Sequence, residues 1–326
     1  MGLGDLIHQS RREFCATAAL GALSLFPGKV RGDEVKPDQS KPLAQLSTYS
    51  APKWDLQLTL EEVASKPVAV SQRYESPAAG IYTCKVFIGD QGDLYVRSFQ
   101  NIQENGWLKK HREDRSQKPG QLRNPVAGDP DIRPSTGSGV MLEFVVSGEK
   151  KRFVLSNDHV VTATRRELEE KRCSLHNFDV TCFPASQAII QEHDRARIPL
   201  GAICADPQIS NRTLSSKKVR IFGLGADLYN FVGQPFPIRA LVREEGSPPK
   251  EIELFGLRVA DNFFKPIGQM GGMSGSPVML DGTHEVVGTV CRSYSRSWQG
   301  KELQYVVFSP IDALRELEGR LLAGLK

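Results

Sequence analysis

The chain has 326 residues, a prior of roughly two domains at about 150 residues each. Its apolar fraction of 40% and charged fraction of 25% exclude both a wholly disordered chain and a membrane-embedded one. The formal charge is only +4, and the basic run Lys109–Arg115 is broken by Glu113 and Asp114, so no nucleic-acid partner is expected.

The N-terminus reads as an address. Arg11 and Arg12 precede Phe14, and the apolar run Cys15–Phe26 follows, closed by Pro27 and Gly28. That run is shorter than the roughly twenty residues a bilayer span needs. The layout is that of a secretory signal, and the paired arginines resemble a twin-arginine signal over residues 1–28. An exported, periplasmic or extracellular protein is therefore expected, with no stable membrane span beyond that segment. Residues 29–55 are rich in Lys, Asp, Pro, Ser and Gln and read as a linker. The segment 29–130 as a whole is taken as a linker and N-terminal extension without assigned role.

Within that extension, Thr59 and Glu62 have capping-box spacing for a short helix, Thr59 to Ser65. Alternating runs at 80–88 and 94–97 predict strands. From 136 onward, short β-type runs recur between Gly, Pro, Asn and Asp: 140–146, 152–155, 180–183, 219–222, 252–255, 278–280 and 286–290. Strands at that spacing predict a sandwich or a barrel. Two helices stand out, the charged segment Ala163–Arg172 and a C-terminal one whose apolar residues 311, 314, 317 and 321 recur at helical spacing. With Cys15 in the signal, Cys84, Cys173, Cys182, Cys204 and Cys291 remain; one or two disulfides would suit an oxidising compartment. Cys173, His176 and Cys182 fit no common metal-ligand spacing.

Two segments carry chemistry. The first is Ser135-Thr136-Gly137-Ser138-Gly139-Val140, followed by Leu155-Ser156-Asn157-Asp158-His159-Val160-Val161, where a strand end delivers a histidine into a turn. The second is Gly271-Gly272-Met273-Ser274-Gly275-Ser276-Pro277-Val278. Glycines on both sides of Ser274 permit a tight turn that exposes the hydroxyl and aims successive N–H groups at one point, the arrangement that holds an oxyanion. A serine hydroxyl needs a base within hydrogen-bond reach, and His159 is the candidate, since imidazole as a group titrates near neutrality.

These motifs, in this order, resemble the chymotrypsin-fold serine proteases, most closely the bacterial trypsin-like and HtrA-like branch, over about residues 131–326. The resemblance implies an all-β fold of two six-stranded antiparallel β-barrels with a C-terminal helix and an N-terminal extension. It implies a serine endopeptidase acting on protein or peptide substrates through an acyl-enzyme, without cofactor or metal. Ser274 would be the nucleophile and His159 the general base. The backbone N–H groups of Gly272 and Ser274 would form the oxyanion hole. The family places the triad acid at the start of a strand, often as Asp-x-Ala-x-Ile/Leu; Asp194-Arg195-Ala196-Arg197-Ile198 fits that outline, and Asp194 is the first choice, with Asp206, Asp179 and Asp227 as alternatives.

The chain departs from the family pattern at Met273, where Asp or Asn is usual, so activation by a buried new N-terminal amine is not expected. Ser276 replaces a second family Gly. No acid stands near Gly268, Gln269 or Cys291-Arg292-Ser293, where the primary pocket would lie, which implies a small or apolar preference. Two other readings share these residues: a protease fold that binds without cutting, and an esterase using the same triad.

Overall fold

The computed structural model describes residues 52–74, 82–89, 92–99, 132–146, 148–162, 164, 166–224, 228–243, 248–261, 263 and 272–324. The expected export signal (1–28), the expected linker up to residue 51, the whole stretch 103–131, and Asp227, Gly268 and Gln269 lie outside the described residues.

Among the described residues the chain is mostly β, with one long helix at their C-terminal end. In chain order the strands are β1 (Lys53–Gln57), β2 (Val70–Tyr74), β3 (Cys84–Gly89), β4 (Leu94–Ser98), β5 (Ile132–Val146), β6 (Glu149–Ser156), β7 (Cys173–Leu175), β8 (Val180–Pro184) and β9 (Ile189–Ile190). There follow β10 (Leu200–Ile203), β11 (Val219–Leu224), β12 (Leu228–Gly233), β13 (Phe236–Arg243), β14 (Lys250–Val259), β15 (Pro277–Leu280), β16 (Glu285–Trp298) and β17 (Lys301–Phe308).

Pairing divides the strands into two groups. One runs β9, β4, β3, β5, β6, β8, β7. The other runs β2, β12, β11, β15, β16, β17, β14, β13, β1. Neighbours are antiparallel except β4–β9. Strand β10 joins the groups, pairing in parallel with both β5 and β16. The strands of residues 53–98 do not stand apart. β3 lies on β5, whereas β1 and β2 extend the second ladder at its two ends, so this part of the expected extension belongs to the same β architecture.

Alternation sets each core. Along β3, Cys84, Val86 and Ile88 enter a cluster with Leu94, Val96, Val154 and Phe183. A second cluster holds Val219, Ile221, Phe231, Phe255, Val278 and Phe308. The C-terminal helix, Ile311–Gly324, buries Ile311, Leu314, Leu317 and Leu321, the residues that share one helical face. Leu314, Leu317 and Leu321 join Leu142, Phe153 and Leu155 of the first group and Phe222 and Val286 of the second. Each leucine so buried contributes about 1.5–3 kcal/mol. The short helix Leu60–Ser65 has the expected capping box, with Thr59 and Glu62 satisfying each other's backbone N–H groups. The charged segment at 163–172 forms only one α-helical turn, Arg166–Glu169. Cys84, Cys173, Cys182, Cys204 and Cys291 are free thiols here. No helix among the described residues is long and apolar enough to cross a membrane.

Candidate functional site

The site begins where β6 stops. Asn157 leaves the strand and a single 3-10 turn, Asp158–Val160, lifts His159 off the sheet. The next turn of interest is His176–Phe178, which ends on Asp179 in the left-handed conformation, φ 55° and ψ 41°. Asp and Asn occupy that region more readily than most residues, because a short polar side chain satisfies local donors there. Asp179 is fully buried, and its carboxylate grips His159 twice: Oδ1 accepts from the backbone N–H at 3.0 Å, and Oδ2 lies 2.5 Å from ring Nδ1. The main chain is fixed as well. The Asp179 carbonyl accepts from Asn157 Nδ2 at 2.7 Å, and the Asp179 N–H donates to the His176 carbonyl at 3.0 Å. The ring itself is 28% exposed, so its other nitrogen can meet a ligand.

The acid that contacts the imidazole is therefore Asp179 and not Asp194. Asp194 is also fully buried, but it sits in the helical turn Glu192–Arg195 and accepts from Ser98 Oγ at 2.5 Å, tying that turn to β4. Its carbonyl accepts from Arg197 and Ile198. Asp206 is exposed in a turn, where Oδ1 accepts from Gln208 N–H at 2.8 Å.

Ser274 comes from the second group of strands, in the turn before β15. The turn depends on glycine. Gly272 has φ 92° and Gly275 has φ 87°, both in the region that penalises a Cβ. At Gly275 a Cβ would also stand 1.9 Å from the Ser138 carbonyl oxygen, a contact with backbone that nothing can relieve. Ser138 in β5 donates its N–H to the Ser274 carbonyl at 2.6 Å and its hydroxyl to the Gly272 carbonyl at 2.7 Å. The Ser274 turn is thus docked on the Thr136-Gly137-Ser138-Gly139 stretch. Gly137 is bare for the same reason: a Cβ there would meet Val160 at 2.4 Å and the Ser274 carbonyl at 2.8 Å.

Cys291 on β16 links the two halves. Its carbonyl accepts from Ser274 Oγ at 3.4 Å, while its thiol donates to the Phe178 carbonyl, beside Asp179. Burial, reinforced by the Asp179 charge, holds that thiol well above its ordinary pKa, so it stays neutral. Among the described residues the N–H groups of Gly272 and Ser274 meet no acceptor. The constellation consists of two donors and a half-buried hydroxyl on one turn, and an imidazole oriented by a buried carboxylate. In this state the Ser274 hydroxyl is turned to Cys291 and not to the His159 ring.

Sequence reasoning missed the part played by residues 52–54. Arg292, next to Cys291, stacks on the Trp54 ring at 4.4 Å and donates to the Pro52 carbonyl. Trp54 Nε1 donates to the Asn177 carbonyl at 2.9 Å, in the turn that delivers Asp179. Among the described residues no three His, Cys, Asp or Glu side chains are arranged to hold a metal ion. His176 has its Nδ1 2.9 Å from Asp158 Oδ2. No protein-family profile matches the chain, and no curated protein matches it either.

Proposed function

We propose that the protein is a serine endopeptidase of chymotrypsin-like architecture, with two β-barrels that correspond to the two groups of strands. The observation that carries this reading is the two-point grip of buried Asp179 on His159, taken with the glycine-framed turn of Ser274. In the proposed reaction, Ser274 Oγ attacks the scissile carbonyl carbon while His159 Nε2 takes the hydroxyl proton. Asp179 holds the Nδ1–H tautomer and stabilises the imidazolium that forms. The N–H groups of Gly272 and Ser274 receive the oxyanion. Collapse breaks the C–N bond, and the leaving amine takes the proton from His159. Water then attacks the acyl-enzyme with the same base, restoring Ser274. The hydroxyl must first turn from the Cys291 carbonyl toward the ring, since catalytic hydrogen bonds of substrate-free sites often form only on binding.

The substrate class is protein or peptide, the site of action is outside the cytoplasm after export through residues 1–28, and no cofactor is required. The test is labelling with a fluorophosphonate probe together with casein cleavage, wild type against Ser274→Ala. Labelling and cleavage that both vanish in the variant are expected. Cleavage that survives in Ser274→Ala overturns the reading. The turn of Ser274 toward Cys291 favours one second reading, a protease fold that binds without cutting; a wild type that neither labels nor cleaves would decide for it. Labelling without peptide cleavage would point to an esterase.

A further inference from the structure

We infer that Lys85 is a positioning residue for the oxyanion-binding turn, an inference that rests on the endopeptidase reading. Lys85 lies on β3 and is 3% exposed. Burying an ammonium is expensive unless strong partners receive it. Its Nζ donates to the Gly272 carbonyl at 3.1 Å. In the β3–β5 ladder Lys85 stands directly opposite Ser138, so both side chains leave the sheet on the same face. Ser138 Oγ donates to that same Gly272 carbonyl at 2.7 Å. Two strands thus converge, through a cross-strand pair, on one peptide of the nucleophile turn.

That carbonyl lies along the chain between the N–H of Gly272 and the N–H of Ser274. Glycine at φ 92° has little steric preference of its own, so without an external hold the Gly272 peptide can rotate and carry the amides out of alignment. The hold has two sides. Met273 is 2% exposed and packs its side chain against Gly223 in the second core, which anchors the turn by apolar contact. Lys85 and Ser138 anchor the opposite, polar side. A methionine at this position leaves no carboxylate to receive a cation, and the cation reaches the backbone directly.

The test measures fluorophosphonate labelling of Ser274 in wild type, Lys85→Met and Lys85→Arg, separating the limiting rate from the half-saturating probe concentration, with thermal midpoints alongside. In Lys85→Met the limiting rate should fall about 10- to 100-fold, less than loss of a whole oxyanion donor, with half-saturation shifted by no more than about twofold. Lys85→Arg, which keeps a cationic donor, should recover part of that rate. A folded Lys85→Met that labels at the wild-type rate overturns the inference, as does a loss that Arg does not relieve. Should Lys85→Met fail to fold, Ser138→Ala reads the same carbonyl, and labelling at the wild-type rate there is equally fatal. A wild type that does not label removes the endopeptidase reading; a labelled wild type with an indifferent Lys85→Met removes only this inference.

Discussion

Asp179 spends both carboxylate oxygens on His159, one on the backbone N–H at 3.0 Å and one at ring Nδ1 at 2.5 Å. The turn bearing the imidazole and the ring itself are therefore fixed by one side chain. Asp194 is equally buried and contributes to neither.

The two aspartates should separate cleanly on substitution. Asp179→Asn keeps the shape but supplies an amide donor toward Nδ1, favouring the wrong tautomer, and should cut kcat by on the order of ten-thousand-fold. Asp194→Asn should leave kcat within about twofold and instead destabilise the fold by about 1.5–3 kcal/mol, the usual worth of a hydrogen bond to a charged group. Steady-state kinetics and denaturant midpoints on both variants check this; a kinetic collapse in Asp194→Asn would return the acid to that position.

Trp54 joins two parts of the site that are far apart in sequence. Its ring stacks on Arg292 beside Cys291, and its N–H holds the Asn177 carbonyl just before Asp179. Trp54→Ala should remove both and cost about 2 kcal/mol. Trp54→Phe keeps a ring for the guanidinium and should recover only the stacking share. Thermal denaturation of wild type and the two variants measures the split: equal midpoints for Ala and Phe would show that the stacking contributes nothing, and a Phe midpoint equal to wild type that the indole N–H contributes nothing.

Ser276 occupies the position where the resemblance led us to expect glycine. Its hydroxyl is fully buried and among the described residues has no hydrogen-bond partner, although its backbone is well used: N–H to the Met273 carbonyl, and carbonyl from Val290 N–H. An unsatisfied buried hydroxyl carries its desolvation cost without return. Ser276→Ala should therefore raise stability by about 1 kcal/mol, seen as a higher denaturant midpoint. A drop in stability would mean that the hydroxyl is satisfied in solution.

Much of this arrangement was legible, because it is written in local rules. The capping box at Thr59 and Glu62, the apolar face of residues 311, 314, 317 and 321, and the runs that became β5, β11 and β16 each follow from spacing alone. The acid that contacts the ring is harder to read, because the outline Asp194-Arg195-Ala196 draws the eye to residue 194. Position is the local signal for that contact: Asp179 stands immediately before β8, with a turn behind it, whereas residue 194 opens no strand. β13 tolerates Pro237 because β1 pairs with it only from Arg239 onward, so the missing N–H removes no bond to that neighbour. The roles of Lys85 and Trp54 were invisible for another reason. Both depend on partners more than a hundred residues away, and no local pattern marks such a meeting.

Burial of the weakly acidic groups gives the stability a sign at alkaline pH. Burial pushes the Cys84 thiol up to about 12 and the Tyr305 phenol up to about 12, from ordinary values of 9.0 and 10.0. The Cys182 and Cys291 thiols are displaced in the same direction by the same cause. Below pH 9 both folded and unfolded chains keep these protons, and the advantage of the folded state is complete. Above it the unfolded chain releases them first, so it binds fewer protons and stability falls as pH rises toward 12. The guanidinium midpoint should thus be level from pH 7 to 8.5 and decline between pH 9 and about 11. Iodoacetamide at pH 8 should spare Cys84, Cys182 and Cys291 in the folded protein and modify them after denaturation, since the reactive species is the thiolate. Rapid alkylation of these thiols in the native state, or a midpoint that climbs through pH 10, would contradict their burial in these cores.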